Sequence, residues 1–156
     1  GKQETTRACL EYIDELSVNG GSFLDMGFGS GILSIAAALL GFGPVEGFDV
    51  DDEAVQASKE NAVANNANAT YTKFALGRPG YAAPARRYDL VAANILGPLL
   101  IRFADEITPY VGRHLIISGI LTTIYDEVLA AYTARGFREL SRRTHGEWTT
   151  GLLLVK

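Results

Sequence analysis

Residues 24–40 read LDMGFGSGILSIAAALL: a short apolar run holding Asp25, three glycines at alternate positions (Gly27, Gly29 and Gly31), then an apolar segment of helical length. A strand that passes into a helix through glycines is the turn that decides the fold. Glycine there lets the backbone bend sharply and lets a ligand lie against the main chain, where a side chain would block it. The spacing also removes two ligand classes. A dinucleotide-binding G-x-G-x-x-G requires a third glycine where the chain has Ile32, counting from Gly27, or Ser34, counting from Gly29. The triphosphate loop G-x-x-x-x-G-K-[ST] occurs nowhere in the chain.

On both sides of this turn, short strand-like runs alternate with longer helical ones, the order that builds a parallel sheet covered by helices. Before it, residues 4–16 place Cys9, Tyr12, Ile13 and Leu16 on one helical stripe that Asn19-Gly20-Gly21 ends. Ser22–Met26 reads as the first strand and Ile32 to Leu40 as the helix after it. Pro44–Val50 reads as a second strand, and Asp52 to Asn65 as a helix with acids in its first turn, where they meet the positive end of the dipole. Asp51 and Asp52 are read as its caps. Thr70–Leu76 is a third strand, residues 77–86 a Gly/Pro loop, and Tyr88–Ile95 a fourth strand. Pro98 suits a helix start, with Leu99, Leu100, Phe103 and Ile107 as its buried face. His114–Gly119 is the fifth strand, and Thr123 with Asp126 resembles a capping box opening a helix that Gly136 closes. Phe137–Thr144 and Trp148–Val155 are joined by only three residues, which makes them antiparallel neighbours. The expected fold is therefore α/β and Rossmann-like: a seven-stranded, mostly parallel sheet with an antiparallel C-terminal hairpin and helices on both faces.

At 156 residues the chain suits one hydrophobic core, so residues 1–156 are expected to form a single domain. Its 47% apolar and 21% charged residues are those of a folded globular chain. The net charge of −4 excludes general nucleic-acid binding, which depends on basic groups displacing counterions from phosphates. Arg86, Arg87, Arg113, Arg138, Arg142 and Arg143 all follow the acid-rich first part, and a solvated surface accounts for them more simply than a basic substrate rim. The longest apolar stretch, Ile32–Leu40, falls short of the roughly 20 residues that span a bilayer, and the first residues carry no signal pattern. No membrane partner is expected. One cysteine, Cys9, suits a reducing compartment, so the expected location is cytoplasmic, and two scattered histidines offer no metal cluster. Composition leaves the oligomeric state open.

The run from Asp25 to Gly31, D-x-G-x-G-x-G, resembles the first motif of S-adenosylmethionine-dependent methyltransferases. About twenty residues on, the second strand ends in Asp49, where an acid can accept hydrogen bonds from both ribose hydroxyls. Three further stretches are similar to one family, the ribosomal protein L11 methyltransferases. GKQETT at residues 1–6 resembles its entry motif, ANIL around Asn94 its catalytic motif, and SGIL with the late GEW its fifth strand and final hairpin. The resemblance covers nearly the whole chain and implies the class I methyltransferase fold, with S-adenosyl-L-methionine as cofactor and S-adenosyl-L-homocysteine as product. It implies methyl transfer to a protein amine, a lysine side chain or an N-terminal amino group, with a ribosomal protein as the partner. Asn94 becomes the catalytic residue, its side-chain oxygen orienting the incoming nitrogen; read without the family, it is a polar residue that ends a strand. Thr5, Thr6, Asp25, Gly27, Gly29, Gly31, Asp49, Val50, Arg78 and Asn94 become the cofactor-binding set. Outside the family reading, Thr5 and Thr6 are hydroxyls at a helix start. Trp148 fits either the substrate channel or, as terminal-strand aromatics commonly do, the core.

The chain also departs from the family. Gln3 stands where the entry motif has His, which removes a group titrating near neutral pH. Phe28 replaces a smaller residue in the glycine turn. Gly77-Arg78 stands where an acid usually meets the adenine amino group; Arg78 cannot accept that bond but can stack on the ring. The family's small N-terminal recognition domain is expected to be absent. Two other readings remain: the same cofactor with a small molecule or nucleic-acid base as acceptor, and a degenerate, non-catalytic binding module.

Overall fold

In the computed structural model, which describes residues 2–27, 29–77, 84 and 86–156, seven strands form one sheet in the order β3-β2-β1-β4-β5-β7-β6. They are β1 (Phe23–Met26), β2 (Val45–Asp49), β3 (Thr70–Lys73), β4 (Tyr88–Ala93), β5 (Val111–Leu121), β6 (Phe137–His145) and β7 (Trp148–Val155). Strands β1 to β5 pair in parallel, whereas β7 runs antiparallel to both β5 and β6. Only β7 is reversed. The helices are α1 (Lys2–Leu16), α2 (Ile32–Leu39), α3 (Asp52–Ala64), α4 (Gly97–Arg102), α5 (Ala104–Ile107) and α6 (Tyr125–Thr133). None among the described residues is long and apolar enough to cross a membrane.

The two-residue period of the strands divides the core into two layers. Leu24, Val91, Ala93, Leu115, Ile117 and Leu153 point to one face, where α4, α5 and α6 supply Leu100, Ala104, Ile107, Tyr125, Val128 and Tyr132. The intervening residues Phe23, Leu90, Ala92, Ile116 and Leu152 point to the other, against Cys9, Tyr12 and Ile13 of α1 and Leu33 and Ala37 of α2. Because β1, β4 and β5 are covered on both sides, they are apolar without alternation, as buried parallel strands are. Helix α3 packs further out, its Ala62 against Tyr71 of β3.

Three local expectations are corrected. Thr123 and Asp126 form no capping box: a 3-10 turn over Thr122–Ile124 precedes α6, whose cap position is Ile124 without a side-chain bond. Asp126 instead pairs with Arg142 of β6 at 3.0 Å. Helix formation after Pro98 is as read, but the helix breaks at Phe103, and Leu99 and Phe103 are only half-buried; they face a crevice, leaving Leu100 and Ile107 as the buried pair. At α3, Asp51 is the cap and accepts the Glu53 N–H at 3.0 Å, while Asp52 is the first helical residue and pairs with Lys73 at 3.2 Å.

Ile116, fully buried between β5 and α1, sets the strength of the second layer. Ile116→Ala is expected to lower unfolding free energy by about 2–5 kcal/mol in denaturant titrations. Val63→Ala, at a side chain 78% exposed, is expected to change it by no more than about 0.5 kcal/mol.

Candidate functional site

Strand order reverses between β1 and β4, and at such a point the following helices leave to opposite faces and open a crevice beyond the strand ends. Here α2 follows β1 on one face and α4 follows β4 on the other. The crevice between them holds about 370 Å³, within the size range of small-molecule sites. Gly27, Gly29, Asp49, Val50 and Asn94 line it, with apolar walls from Phe48, Phe74, Leu76, Ile95, Leu99 and Phe103.

The glycine turn is held from behind, which leaves its front free. Gly27, Gly29 and Gly31 have φ of 73°, 58° and 84°, a left-handed region costly to other residues. Gly27 and Gly31 are also required by space. A Cβ on Gly27 would lie 2.9 Å from the Asn94 carbonyl oxygen, and one on Gly31 would lie 2.9 Å from Ser58 Oγ. At Gly29 a Cβ would meet nothing within 4 Å, so this part of the backbone is open to a ligand. Three side chains hold the turn's carbonyls: Ser58 Oγ donates to Gly29 O at 3.1 Å, Asn61 Nδ2 to Ser30 O at 3.1 Å, and Ser34 Oγ to Gly31 O at 2.9 Å. Tyr71 completes the group, its hydroxyl 2.6 Å from that of Ser34. Sequence reading missed these supports. The spacing of Ser58 and Asn61 was the available signal, since residues three apart share a helix face.

Asp49 stands at the rim, its carboxylate accepting the Gly29 N–H at 3.2 Å and the Asp51 N–H at 3.1 Å. A carboxylate has about four acceptor positions, so these bonds leave room for two hydroxyl donors. Asn94, exposed at the end of β4, has its Oδ1 3.4 Å from the Ser118 hydroxyl. Thr5 roofs this corner, its methyl 3.9 Å from where a Cβ on Gly119 would lie. Thr6 lines a neighbouring groove with Gln3, Ser30 and Ile32. Trp148 is half-buried and lines a surface groove with Glu4 and His145. Arg78 and Phe28 lie outside the described residues. Among those described, no group of His, Cys, Asp and Glu is placed to hold a metal ion.

Asp25 differs from the rest. It is fully buried below the turn, and neither carboxylate oxygen has a hydrogen-bond partner among the described residues. Burial raises its pKa from 3.8 to about 7; the nearby Ser34 amide opposes the rise without completing a hydrogen bond, and the Asp49 charge adds to it.

Sheet order, crevice and glycine turn together define the Rossmann-like fold of S-adenosylmethionine-dependent methyltransferases. Magnesium protoporphyrin IX methyltransferase from Synechocystis PCC 6803, solved with bound SAM, shares that fold: the TM-score is 0.73 at 19% identity, over 99% of this chain and 83% of that one. The family model for ribosomal protein L11 methyltransferase matches residues 1–153, and the chain belongs to that family. A ribosomal protein L11 methyltransferase from Laribacter hongkongensis is 41% identical over 136 residues, 86% of this chain and 44% of the relative. The ribosomal protein L11 methylase of Lactobacillus delbrueckii subsp. bulgaricus superposes with a TM-score of 0.90 at 28% identity, covering 100% of this chain and 80% of the other. The chain spans under half the length of the curated relatives it matches, 44% and 43% for two of them.

The unpartnered Asp25 has a measurable consequence. The folded chain holds this proton more tightly than the unfolded chain, whose Asp keeps the ordinary value of 3.8. Its burial therefore costs no ionisation energy below about pH 4, and stability is lost as pH rises through about 7. Thermal melts of the ligand-free protein should show the midpoint falling over that window. Asp25→Asn should flatten the fall and melt higher at pH 8; a wild-type midpoint that rises with pH, with no difference in the variant, would contradict the assignment.

Proposed function

We propose that this chain binds S-adenosylmethionine in the β1–β4 crevice and directs its methyl group to an amine nitrogen of a protein, with ribosomal protein L11 as the acceptor. One observation carries the reading. The glycine turn is open at Gly29, with the Asp49 carboxylate at one side and the Asn94 side chain at the other, all lining one crevice. The donors and walls present fit the group. Asp49 has acceptor positions for two ribose hydroxyls, and the apolar walls, with Phe48 and Phe74 4.8 Å apart, suit a purine. Asp25, Gly27, Gly31, Thr5, Thr6 and Val50 complete the proposed binding set. Arg78 is proposed as a stacking residue on the ring.

When bound, the cofactor supplies a methyl group on a positively charged sulfur that leaves as a neutral thioether. The chain's part is orientation. Asn94 Oδ1 would accept a hydrogen bond from the acceptor amine and so hold its nitrogen for direct displacement at the methyl group. Attack requires the neutral amine, and the described lining of the crevice places no base beside Asn94; loss of the ammonium proton to water before docking supplies it. Transfer to the neutral nitrogen would leave a methylated ammonium, which gives one proton to solvent, and a neutral thioether. Leu96, 69% exposed beside Asn94, gives an incoming protein an apolar surface to rest on.

Calorimetry with S-adenosylmethionine tests the binding step, and transfer of a labelled methyl group to purified ribosomal protein L11 tests the acceptor. Asp49→Ala should weaken cofactor binding about 10- to 100-fold, the worth of hydrogen bonds to a charged group. Asn94→Ala should leave binding within a few-fold of wild type and lower turnover about 100-fold. Absence of binding at millimolar cofactor would remove the proposal, and label entering RNA or small molecules instead of protein would redirect it.

A further inference from the structure

Asn94 is not the last link at the end of β4. In the β5–β7 pairing the register slips between Ile117 and Ile120, and Gly119 within the slip has φ of 71°. A bulge of this kind re-aims a side chain out of its strand's alternation. Ser118, only 1% exposed, donates its hydroxyl to Asn94 Oδ1 at 3.4 Å. Gly119 leaves the space for that contact, since a Cβ there would come within 3.2 Å of the same oxygen.

We propose, building on the methyl-transfer reading, that Ser118 is a positioning residue that holds the Asn94 carboxamide with its oxygen end where the acceptor amine docks. A carboxamide presents either its oxygen or its NH2, and only the oxygen accepts from an amine. In this geometry the Ser118 hydroxyl is the donor and Oδ1 the acceptor, which holds the oxygen end of the carboxamide at the end of β4. Ser118 O–H donates to Asn94 Oδ1, whose second lone pair stays open to the amine. At 3.4 Å the Ser118 bond is longer than the usual O–H···O distance; bonds of catalytic groups commonly tighten only when the reacting complex forms.

The test compares Ser118→Ala, Ser118→Thr, Asn94→Ala and the Ser118/Asn94 double alanine variant of the full chain. In 15N-labelled protein the Asn94 side-chain NH2 resonances, identified by their loss in Asn94→Ala, should shift in Ser118→Ala and return towards wild type in Ser118→Thr. Melting temperature and cofactor affinity should hold close to wild type. Transfer to ribosomal protein L11 should fall about five- to tenfold in Ser118→Ala, the worth of one neutral hydrogen bond, with no further fall when Asn94 is already alanine. Unmoved NH2 resonances in Ser118→Ala, or equal rate losses in both backgrounds, would overturn the inference while leaving methyl transfer standing. Failure of the wild-type chain to bind S-adenosylmethionine would overturn both.

Discussion

The space between Gly27 and the end of β4 governs the rest of the molecule. The Asn94 carbonyl approaches so closely that a Cβ on Gly27 would come within 2.9 Å of it, and two backbone bonds hold the approach: Asn94 N–H to Met26 O at 3.1 Å and Gly27 N–H to Phe48 O at 3.0 Å. The ends of β2, β1 and β4 are thereby tied at one level. From that level the chain leaves upward through glycines into α2 and downward through Leu96 into α4, and the gap between the two departures is the crevice. A side chain at Gly27 would separate β1 from β4 and remove both the gap and the residues placed around it.

A polar frame under the turn keeps the gap open. Ser34, Ser58 and Asn61 satisfy the turn's carbonyls from behind, with Tyr71 bonded to the Ser34 hydroxyl, which is why its front can face a ligand without leaving these groups unpaired. Asp25 breaks that rule, and the break carries information: a buried acid without a partner among the described residues lowers the stability of the ligand-free fold, and such strain concentrates at functional positions. Stability and site are therefore set against each other at one residue.

Distant ends of the chain close the other side of the site. Arg143 of β6 pairs with Glu11 at 3.3 Å and with Glu15, and its guanidinium lies 4.1 Å from the centre of the Tyr12 ring. The Tyr12 hydroxyl in turn is 2.9 Å from Ser141 Oγ. Exposed ion pairs alone contribute little, but an arginine stacked on a ring and shared by two acids fixes the direction of α1. That direction brings Thr5 over the Ser118–Gly119 bulge.

Much of this was legible in the order of residues. Strand and helix periods, the glycines at 27, 29 and 31, the acid at Asp49 and the short final connection are local signals, and local signals are what a linear sequence records directly. The same order could not say that β7, not β6, would lie beside β5, because either strand of a hairpin satisfies the turn. Nor could it show that Thr123 would be bypassed by a 3-10 turn while Asp126 pairs with Arg142, or that Leu99 and Phe103 would line a crevice where their spacing suggested core. Residues far apart in sequence meet only after the sheet is assembled, so Ser58 behind Gly29, Ser118 beside Asn94 and the isolation of Asp25 were decided by tertiary packing, through the side chains that happen to surround each polar atom once water has been excluded.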